Sequence, residues 1–551
     1  MNRNSGRMTG AQALVESLER AGAEVVFGYP GGNIVDVFDH VRNAKFRFVL
    51  GRHEQGCVHM ADGYARATGR PGVAIVTSGP GATNSITGLA TANVDGVPLV
   101  LISGQVPLSQ IGTDAFQEAD MTGICRAATK HSFLVKSADE IPETVAEAFY
   151  IATHGKPGAV VIDVPKNVQE EFTSARYPER VSLRAYHPES AATPAQVNRL
   201  AKWLNEARRP VILAGGGVIA SNASADVAAL SRKADIPVAT TLMGLGAVDE
   251  SDPRALGMAG LYGSRAANAA LASADLVLAL GTRFSDRVTD RCFPGGRHRG
   301  RLVHVDCDPS SIDKNVHVDL GIVADVKDLL TTVDSRVKQR RRESWLARID
   351  GWKSEERPAE RASRKGAIAP RDVVEALARC AGEDAIVVAD VGQNQMWCAQ
   401  NLRHSSPRRF ITSGGMGTMG FALPAAIGAA IARPDLKVVA VAGDGGALMT
   451  AEELAVAVAK RIPVVLVVMD NGCLGMVRQM QDESFGGRRC AVDLADAGGA
   501  GRPDFAKLAA AYGAAGARVE DPAKLDAAIA RAVRARKPVV VDVAVDPEAN
   551  A

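Results

Sequence analysis

Asp444 and Asn471 are the two side chains whose types and positions most directly suggest chemistry. Asp444 lies in Gly443-Asp444-Gly445-Gly446, directly after the apolar run Lys437 to Val441, and the next such run, Val464 to Met469, leads into Asp470-Asn471. Adjacent parallel strands finish at the same edge of a sheet, so the two side chains can meet there. The glycines allow close backbone approach to a ligand, and a helix starting at this turn offers free N–H groups and a positive dipole end to phosphate. The Asp444 carboxylate, the Asn471 amide oxygen and the backbone carbonyl of Cys473 would give Mg²⁺ three hard oxygen ligands, with diphosphate oxygens and water filling the octahedron. A Gly-Asp-Gly tripeptide alone more often marks a plain turn. The second strand, ending on Asn471 in register, favours a metal–diphosphate site.

Such a site needs buried parallel strands behind it. Short β-branched runs recur at Val73 to Val76, Leu99 to Ile102, Val160 to Val164, Val211 to Ala214, Leu276 to Leu280, Ala385 to Ala389, Lys437 to Val441, Val464 to Met469 and Val539 to Val543, most followed by Ala/Leu-rich helical stretches. This predicts an α/β protein of three doubly wound parallel-sheet domains. Polar segments from about Thr173 to Pro194 and from about Lys338 to Ile368 read as linkers, which sets the domains at 8–172, 193–337 and 366–547. The basic run Lys338, Arg340, Arg341 and Arg342 in the second linker reads as a solvated helix face. The first and third domains share a strand, Gly-turn, helix, strand unit, because Gly79 to Pro98 and Asp444 to Pro463 are equal separations. Repetition of one unit and convergent geometry both account for this.

Composition narrows the partners. The chain has 551 residues, 46% of them apolar and 23% charged, and 64 Lys plus Arg against 62 Asp plus Glu leaves a formal charge of +2. That balance argues against nucleic-acid binding and for small neutral or anionic ligands. The eight cysteines, at 57, 125, 292, 307, 380, 398, 473 and 490, form no CxxC pair, which suits a reducing compartment. The polar start MNRNSGRMTGAQAL lacks a secretory core, and no stretch approaches the ~20 apolar residues of a membrane span. A cytoplasmic protein with no membrane contact is expected.

The pair Gly443-Asp444-Gly445 and Asp470-Asn471 resembles the thiamine-diphosphate motif, which usually ends in two asparagines; Asp470 departs from it and Asn471 keeps it. The resemblance extends over nearly the whole chain and narrows to the acetolactate synthase (acetohydroxyacid synthase) catalytic-subunit family. It is carried by GYPGG (28–32), RHEQG (52–56), ADGYARATG (61–69), TSGPGATN (77–84), GTDAFQE (112–118), TKH (129–131), DVPK (163–166), RFSDRVT (283–289), DPSSIDKN (308–315), VGQNQMW (391–397) and TSGGMGTMGFALPAAIGA (412–429). It implies a pyrimidine-binding domain, a central domain and a diphosphate-binding domain in that order. The activity implied is decarboxylation of pyruvate followed by condensation of the two-carbon unit with a second 2-oxoacid, in branched-chain amino-acid biosynthesis.

Site residues follow from the same resemblance. Glu54 matches the carboxyl that hydrogen-bonds N1′ of the cofactor's aminopyrimidine and needs a sheltered position to move a proton. Gly31, Pro80, Asn84 and Gln117 match further thiamine-diphosphate-binding positions. Val391, Gly392, Gln393, Asn394 (where the family usually has histidine), Gly417, Gly443 to Gly446, Asn471, Leu474, Gly475 and Met476 belong to the diphosphate side, and Met419 props the cofactor. Phe116, Gln117 and Lys166 match the substrate approach, and Arg287 matches a cation near the acceptor carboxylate. The central domain resembles a structural FAD site built on Lys156, Gly215, Gly216, Gly217, Gly260, Tyr262, Gly263, Gly281, Arg283, Asp306 and Asp325, with Lys156 for a usual arginine and Tyr262 for a usual histidine. Met480 stands where family members typically place a tryptophan that favours 2-oxobutyrate, so pyruvate is the expected acceptor.

The resemblance also implies a homodimer or tetramer with each site shared between Glu54 of one chain and Asp444 of its partner, and it leaves room for a small regulatory subunit. Family members usually continue past Asp546 to Asn550 with a tail that folds over the site, whereas this sequence stops at Ala551, a departure that bears on water exclusion. Competing readings are a sulfoacetaldehyde acetyltransferase, a 2-oxoacid decarboxylase, a flavin-dependent pyruvate oxidase or a non-catalytic, partner-binding paralogue.

Overall fold

The computed structural model describes residues 7–355, 366–495 and 501–551. Every apolar run named above forms a strand, apart from the first residues Ala385 and Lys437 of two of them; the strands include Gly72–Val76, Leu99–Gln105, Pro210–Ala214, Ile386–Ala389, Val438–Gly443 and Val464–Asp470. Nearly all their residues are buried on both faces, as expected where helices cover each side of a parallel sheet.

The strands form three six-stranded parallel sheets. Numbered within each domain, the first and third sheets have the same order, 2-1-3-4-6-5, and the central sheet has the order 3-2-1-4-5-6 of a dinucleotide-binding fold. Gly79 and Asp444 therefore follow the third strand of matching sheets, so their equal spacing falls at equivalent places in the two domains. A two-stranded antiparallel ribbon, Met8–Thr9 with Phe172–Thr173, closes the first domain.

The first and third domains share one apolar core. Helix Glu54–Thr68 crosses helix Ala422–Ala432 so closely that a Cβ on Gly63 would overlap the Ala425 carbonyl and one on Gly428 would overlap the Met60 carbonyl. Small residues are required at such a crossing. Asp62, Asp95 and Arg66 form a buried ion cluster here; Arg66 donates to Thr412 O at 3.0 Å, and Asp95 accepts from the Gly414 and Gly415 N–H groups at 3.1 and 2.7 Å.

The second linker departs from expectation. Glu343–Ser354 is a helix packed on the central domain through Trp345 and Ile349, and Trp345 Nε1 donates to Pro210 O at 3.1 Å. Arg342 lies just before that helix, and instead of facing solvent it is buried, donating to the carbonyls of Leu204, Ala207 and Ala234. Those carbonyls close two helices, whose unpaired C-terminal oxygens attract a cation. The remainder of that linker, 356–365, lies outside the described residues.

Candidate functional site

Strand Val438–Gly443 pairs with Val464–Asp470 so that Gly443 lies opposite Met469, which brings Asp444 and Asn471 to one edge. Asp444 is 3% exposed, and its carboxylate accepts from the N–H groups of Gly445 at 3.0 Å and Gly472 at 2.6 Å. Burial, and then the adjoining Asp470 carboxyl, pushes Asp444 up to about 7, so its charge is costly unless a cation shares it. Asn471 Oδ1 accepts from Cys473 N at 3.1 Å, which shapes the turn carrying the third expected ligand. Among the described residues no group of three or more His, Cys, Asp or Glu could hold a metal ion.

Asp470, the departure from the expected asparagine, is wholly buried. Burial alone would raise it, but Arg502, at 2.6 Å, and Arg518 hold it below the usual carboxylate range; Arg518 also meets buried Asp542 at 2.7 Å. A charge here is tolerated because two guanidinium groups pair it.

Gln393 and Asn394 are buried, and Gln393 Oε1 and Asn394 Oδ1 have no hydrogen-bond partner among the described residues. Gly475 lies against both Gln393 and Asn471, for a Cβ there would overlap the Gln393 amide oxygen and come within 2.6 Å of Asn471 Nδ2. Gly392, at φ +130°, and Gly417, at φ +67°, have almost nothing within 4 Å of where a Cβ would sit, so their backbone borders open space. Met419 and Leu474 both reach Gly445. Unpaired buried acceptors beside bare backbone are the expected lining of a site for a polar ligand.

Glu54 opens helix Glu54–Thr68 on the first domain, and its Oε2 accepts from Asn84 Nδ2 at 3.0 Å. Pro80 starts the short helix beside it, after a Gly79 turn at φ +60°. Gly31 packs on Thr77, whose buried hydroxyl is unpaired. Gln117 adopts φ +61° and touches Gly79, while Phe116 is 86% exposed. Lys166 pairs with Asp36 at 3.1 Å. Among the described residues no hydrogen bond or ion pair joins Glu54, Asn84, Phe116 or Gln117 to Asp444 or Asn471.

A groove of 590 Å³ lies where the central domain meets the first and the third. Lys156, Gly216, Gly217, Tyr262, Gly281, Arg283, Arg287, Asp306 and Asp325 line it, together with Val391, Gly392, Gly417, Met476 and Met480. Tyr262 Oη donates to Met476 Sδ at 3.5 Å, joining the groove to the helix that carries Met480. Gly215, Gly260 and Gly263 face neighbouring backbone instead of the groove.

Three acids were missed by sequence reasoning. Asp390, 1% exposed, accepts from Val391 N, Gly420 N and Ala422 N at 2.9 to 3.0 Å, tying two loops of the third domain; burial raises it to about 6. It ends an apolar strand just as Asp444 nearly does, so the same signal could have found it. Asp163 accepts from Ser103 Oγ at 2.6 Å and from Gln105 Nε2 at 2.9 Å, and Gln105 also holds Ala119 O at 2.6 Å, behind the Phe116–Gln117 loop. Glu453 is 0% exposed and accepts from the N–H groups of Arg52 and His53 at 3.1 and 2.9 Å, across a separation of about four hundred residues that no local pattern reveals.

Three family models match the three domains. They are the thiamine pyrophosphate enzyme N-terminal TPP binding domain over 8–124, the central domain over 197–333 and the C-terminal TPP binding domain over 390–543. The chain is 43% identical to a probable acetolactate synthase large subunit of Methanocaldococcus jannaschii, over 98% of this chain and 92% of that one. Identity is 45% to an acetolactate synthase large subunit of Mycobacterium tuberculosis, over 99% and 89%. It is 42% to the acetolactate synthase isozyme 3 large subunit of Escherichia coli, over 98% and 95%. With its domain order, its Asp444–Asn471 edge and relatives of this kind along its whole length, the chain belongs to the acetolactate synthase large-subunit family of thiamine-diphosphate enzymes.

Proposed function

We propose that the chain decarboxylates pyruvate and joins the two-carbon unit to a second 2-oxoacid, with pyruvate preferred over 2-oxobutyrate, as a thiamine-diphosphate- and Mg²⁺-dependent acetolactate synthase. The observation that carries this reading is the strand edge where buried Asp444 and Asn471 stand beside the unpaired oxygens of Gln393 and Asn394. These residues fit a diphosphate and a divalent cation: Asp444 supplies the charge, Asn471 and the Cys473 carbonyl supply neutral oxygens, and the bare backbone at Gly392 and Gly417 allows close approach. When bound, thiamine diphosphate supplies the electron sink that lets a 2-oxoacid lose CO₂ and form a new carbon–carbon bond.

The chain's own residues then bind, orient and exclude water. Glu54, steadied by Asn84, holds or releases the proton at N1′ of the aminopyrimidine. Met419, which reaches Gly445, would give the cofactor an apolar support. Phe116, Gln117 and Lys166 border the entry, and Arg287 offers its planar fork to the acceptor's carboxylate. Met480, half-exposed on the groove wall beside Met476, leaves an apolar but loosely shaped pocket for the acceptor's alkyl group.

The catalytic unit is a pair of chains, Glu54 of one facing Asp444 of the other. Supporting this are the exposed Tyr29, Phe116, Leu448 and Met449, an apolar surface that a second copy would cover. The groove fits FAD in size and donors, with Lys156 and Arg283 for phosphate and Asp306 and Asp325 for ribose or adenine. The flavin would be structural, since the condensation is redox-neutral. Relatives named as large subunits support a small regulatory partner. Domain boundaries at 172–193 and 337–366, a cytoplasmic location and the absence of nucleic-acid partners complete the reading. Among the described residues no helix is long and apolar enough to cross a membrane.

Mass analysis of products from pyruvate alone, and from pyruvate with 2-oxobutyrate, tests the proposal. Acetolactate is expected in both. Acetaldehyde, or acetyl phosphate when phosphate and an electron acceptor are present, would replace it with a decarboxylase or an oxidase.

A further inference from the structure

Glu54 is set by its backbone as well as by Asn84. It is the first residue of helix Glu54–Thr68, and the chain entering that helix exposes N–H groups that the helix itself cannot pair. His53 caps the start, its Nδ1 accepting from Gln55 N at 3.1 Å. The N–H groups of Arg52 and His53, immediately before Glu54, both point to the carboxylate of Glu453: Arg52 N lies 3.1 Å from each oxygen, and His53 N lies 2.9 Å from Oε1. Glu453 comes from the third domain of the same chain and is completely buried. Gly56, on the first turn, has no side chain because a Cβ there would overlap the Glu453 carboxyl.

A buried carboxylate accepting backbone N–H groups at a helix start is stabilised by charge-assisted bonds and by the helix dipole. Burial still drives Glu453 up to about 7, so the position carries a cost that a purely space-filling residue would avoid. What that cost secures is the orientation of the peptide units that aim Glu54.

We propose that Glu453 is a positioning residue for Glu54: by gripping the Arg52 and His53 amides it fixes the direction in which the Glu54 carboxyl leaves the backbone. This rests on the proton role given to Glu54 above. Misplacement of a catalytic group by about 1 Å can cost ~10²-fold, so a released 51–54 segment should slow proton movement without emptying the site.

The test uses three variants of the full chain. Glu453→Met fills the space but accepts no hydrogen bond, Glu453→Gln keeps an oxygen that can occupy the Oε1 position and serve both amides, and Glu54→Gln is the control. Two readouts are taken. One is backbone amide hydrogen exchange at Arg52 and His53 in the chain without cofactor. The other is hydrogen–deuterium exchange at thiazolium C2 of thiamine diphosphate in the loaded, Mg²⁺-bound enzyme, stopped with acid and read by NMR. Glu453→Met should speed the two amides and slow C2 exchange by at least ~10-fold, with cofactor affinity changed no more than about threefold; Glu453→Gln should stay near the parent in both. A merely structural role would leave C2 exchange in the folded, loaded Glu453→Met protein at the parent rate, and that result, with Glu54→Gln slowing it, overturns the inference. Glu54→Gln leaving C2 exchange unchanged would instead strike the role of Glu54 itself, and the inference with it. If Glu453→Met does not fold, Glu453→Gln and Glu453→Asp decide it, the shorter Asp being expected to slow exchange and Gln not.

Discussion

The turn after the third strand of the first domain and its counterpart in the third domain are built alike. Each follows a buried parallel strand, opens a short helix and leads to a strand preceded by proline. In the first domain the turn is Gly79 at φ +60°, followed by Pro80, with no charge of its own; its nearest acid is Glu54, bound through Asn84. In the third, Asp444 occupies the turn, 3% exposed and bonded to Gly472. One edge is thus suited to a weakly polar ring with a single proton site, the other to a cation and phosphate. The sheet supplies the place, and one acid in the turn decides which end of a ligand it can accept.

The sharpest way to break this comparison is to remove that acid. Asp444→Ala should lose Mg²⁺-dependent thiamine-diphosphate retention, with affinity falling by more than ~10²-fold, because no other formal negative charge is assigned to the metal. Cofactor that stays bound through gel filtration with EDTA would show the two turns to be less different than argued. Next in size is Glu54→Gln, which should leave cofactor and Mg²⁺ affinity nearly unchanged and cut turnover by at least ~10²-fold. Near-parent steady-state rates would contradict the first turn's role in proton movement.

Two smaller effects sharpen the contrast with the groove where the central domain meets the other two. The purified protein should be yellow and release about one FAD per chain on denaturation, and Lys156→Ala should weaken flavin binding by roughly 10-fold, the scale of one hydrogen bond to a charged group. Absorbance of a colourless yet active preparation would remove flavin from the account. Smallest is Met480→Trp: since one methylene is worth ~1–3 kcal/mol at best, it should move the acetohydroxybutyrate-to-acetolactate ratio, in equimolar pyruvate and 2-oxobutyrate, several-fold toward the former. A parent enzyme already strongly favouring 2-oxobutyrate would show that Met480 does not set acceptor choice.

Local patterns made the strands and the Asp444 edge legible, because a strand buried on both faces must be apolar throughout and a polar residue at its end stands out. They failed where partners are distant. Arg342 lay in a run of four basic residues that reads as solvated, yet two helix ends 100 or more residues away turn it inward. Asp470 read as a lapse from a motif, whereas Arg502 and Arg518, one on a loop and one on the edge strand Ala515–Val519, give its charge a purpose in packing. Glu453 carried no local signal, since its meaning lies wholly in the amides of Arg52 and His53.

The crossing of helices Glu54–Thr68 and Ala422–Ala432, with Gly63 and Gly428 pressed onto opposing carbonyls, bears on how the molecule comes apart. The sequence order of three domains is not the order of cooperative units. The first and third share one core and a buried ion cluster, so neither can melt while the other keeps its native surface; a fragment of either alone would expose much of that core to water. The central domain, which shares only the small cluster of Leu245, Met258 and Ala399 with the third, is bound by that obligation far less. During synthesis the first domain must then wait, its face toward helix Ala422–Ala432 uncovered, until the last third of the chain has emerged, and chaperone demand should peak in that interval.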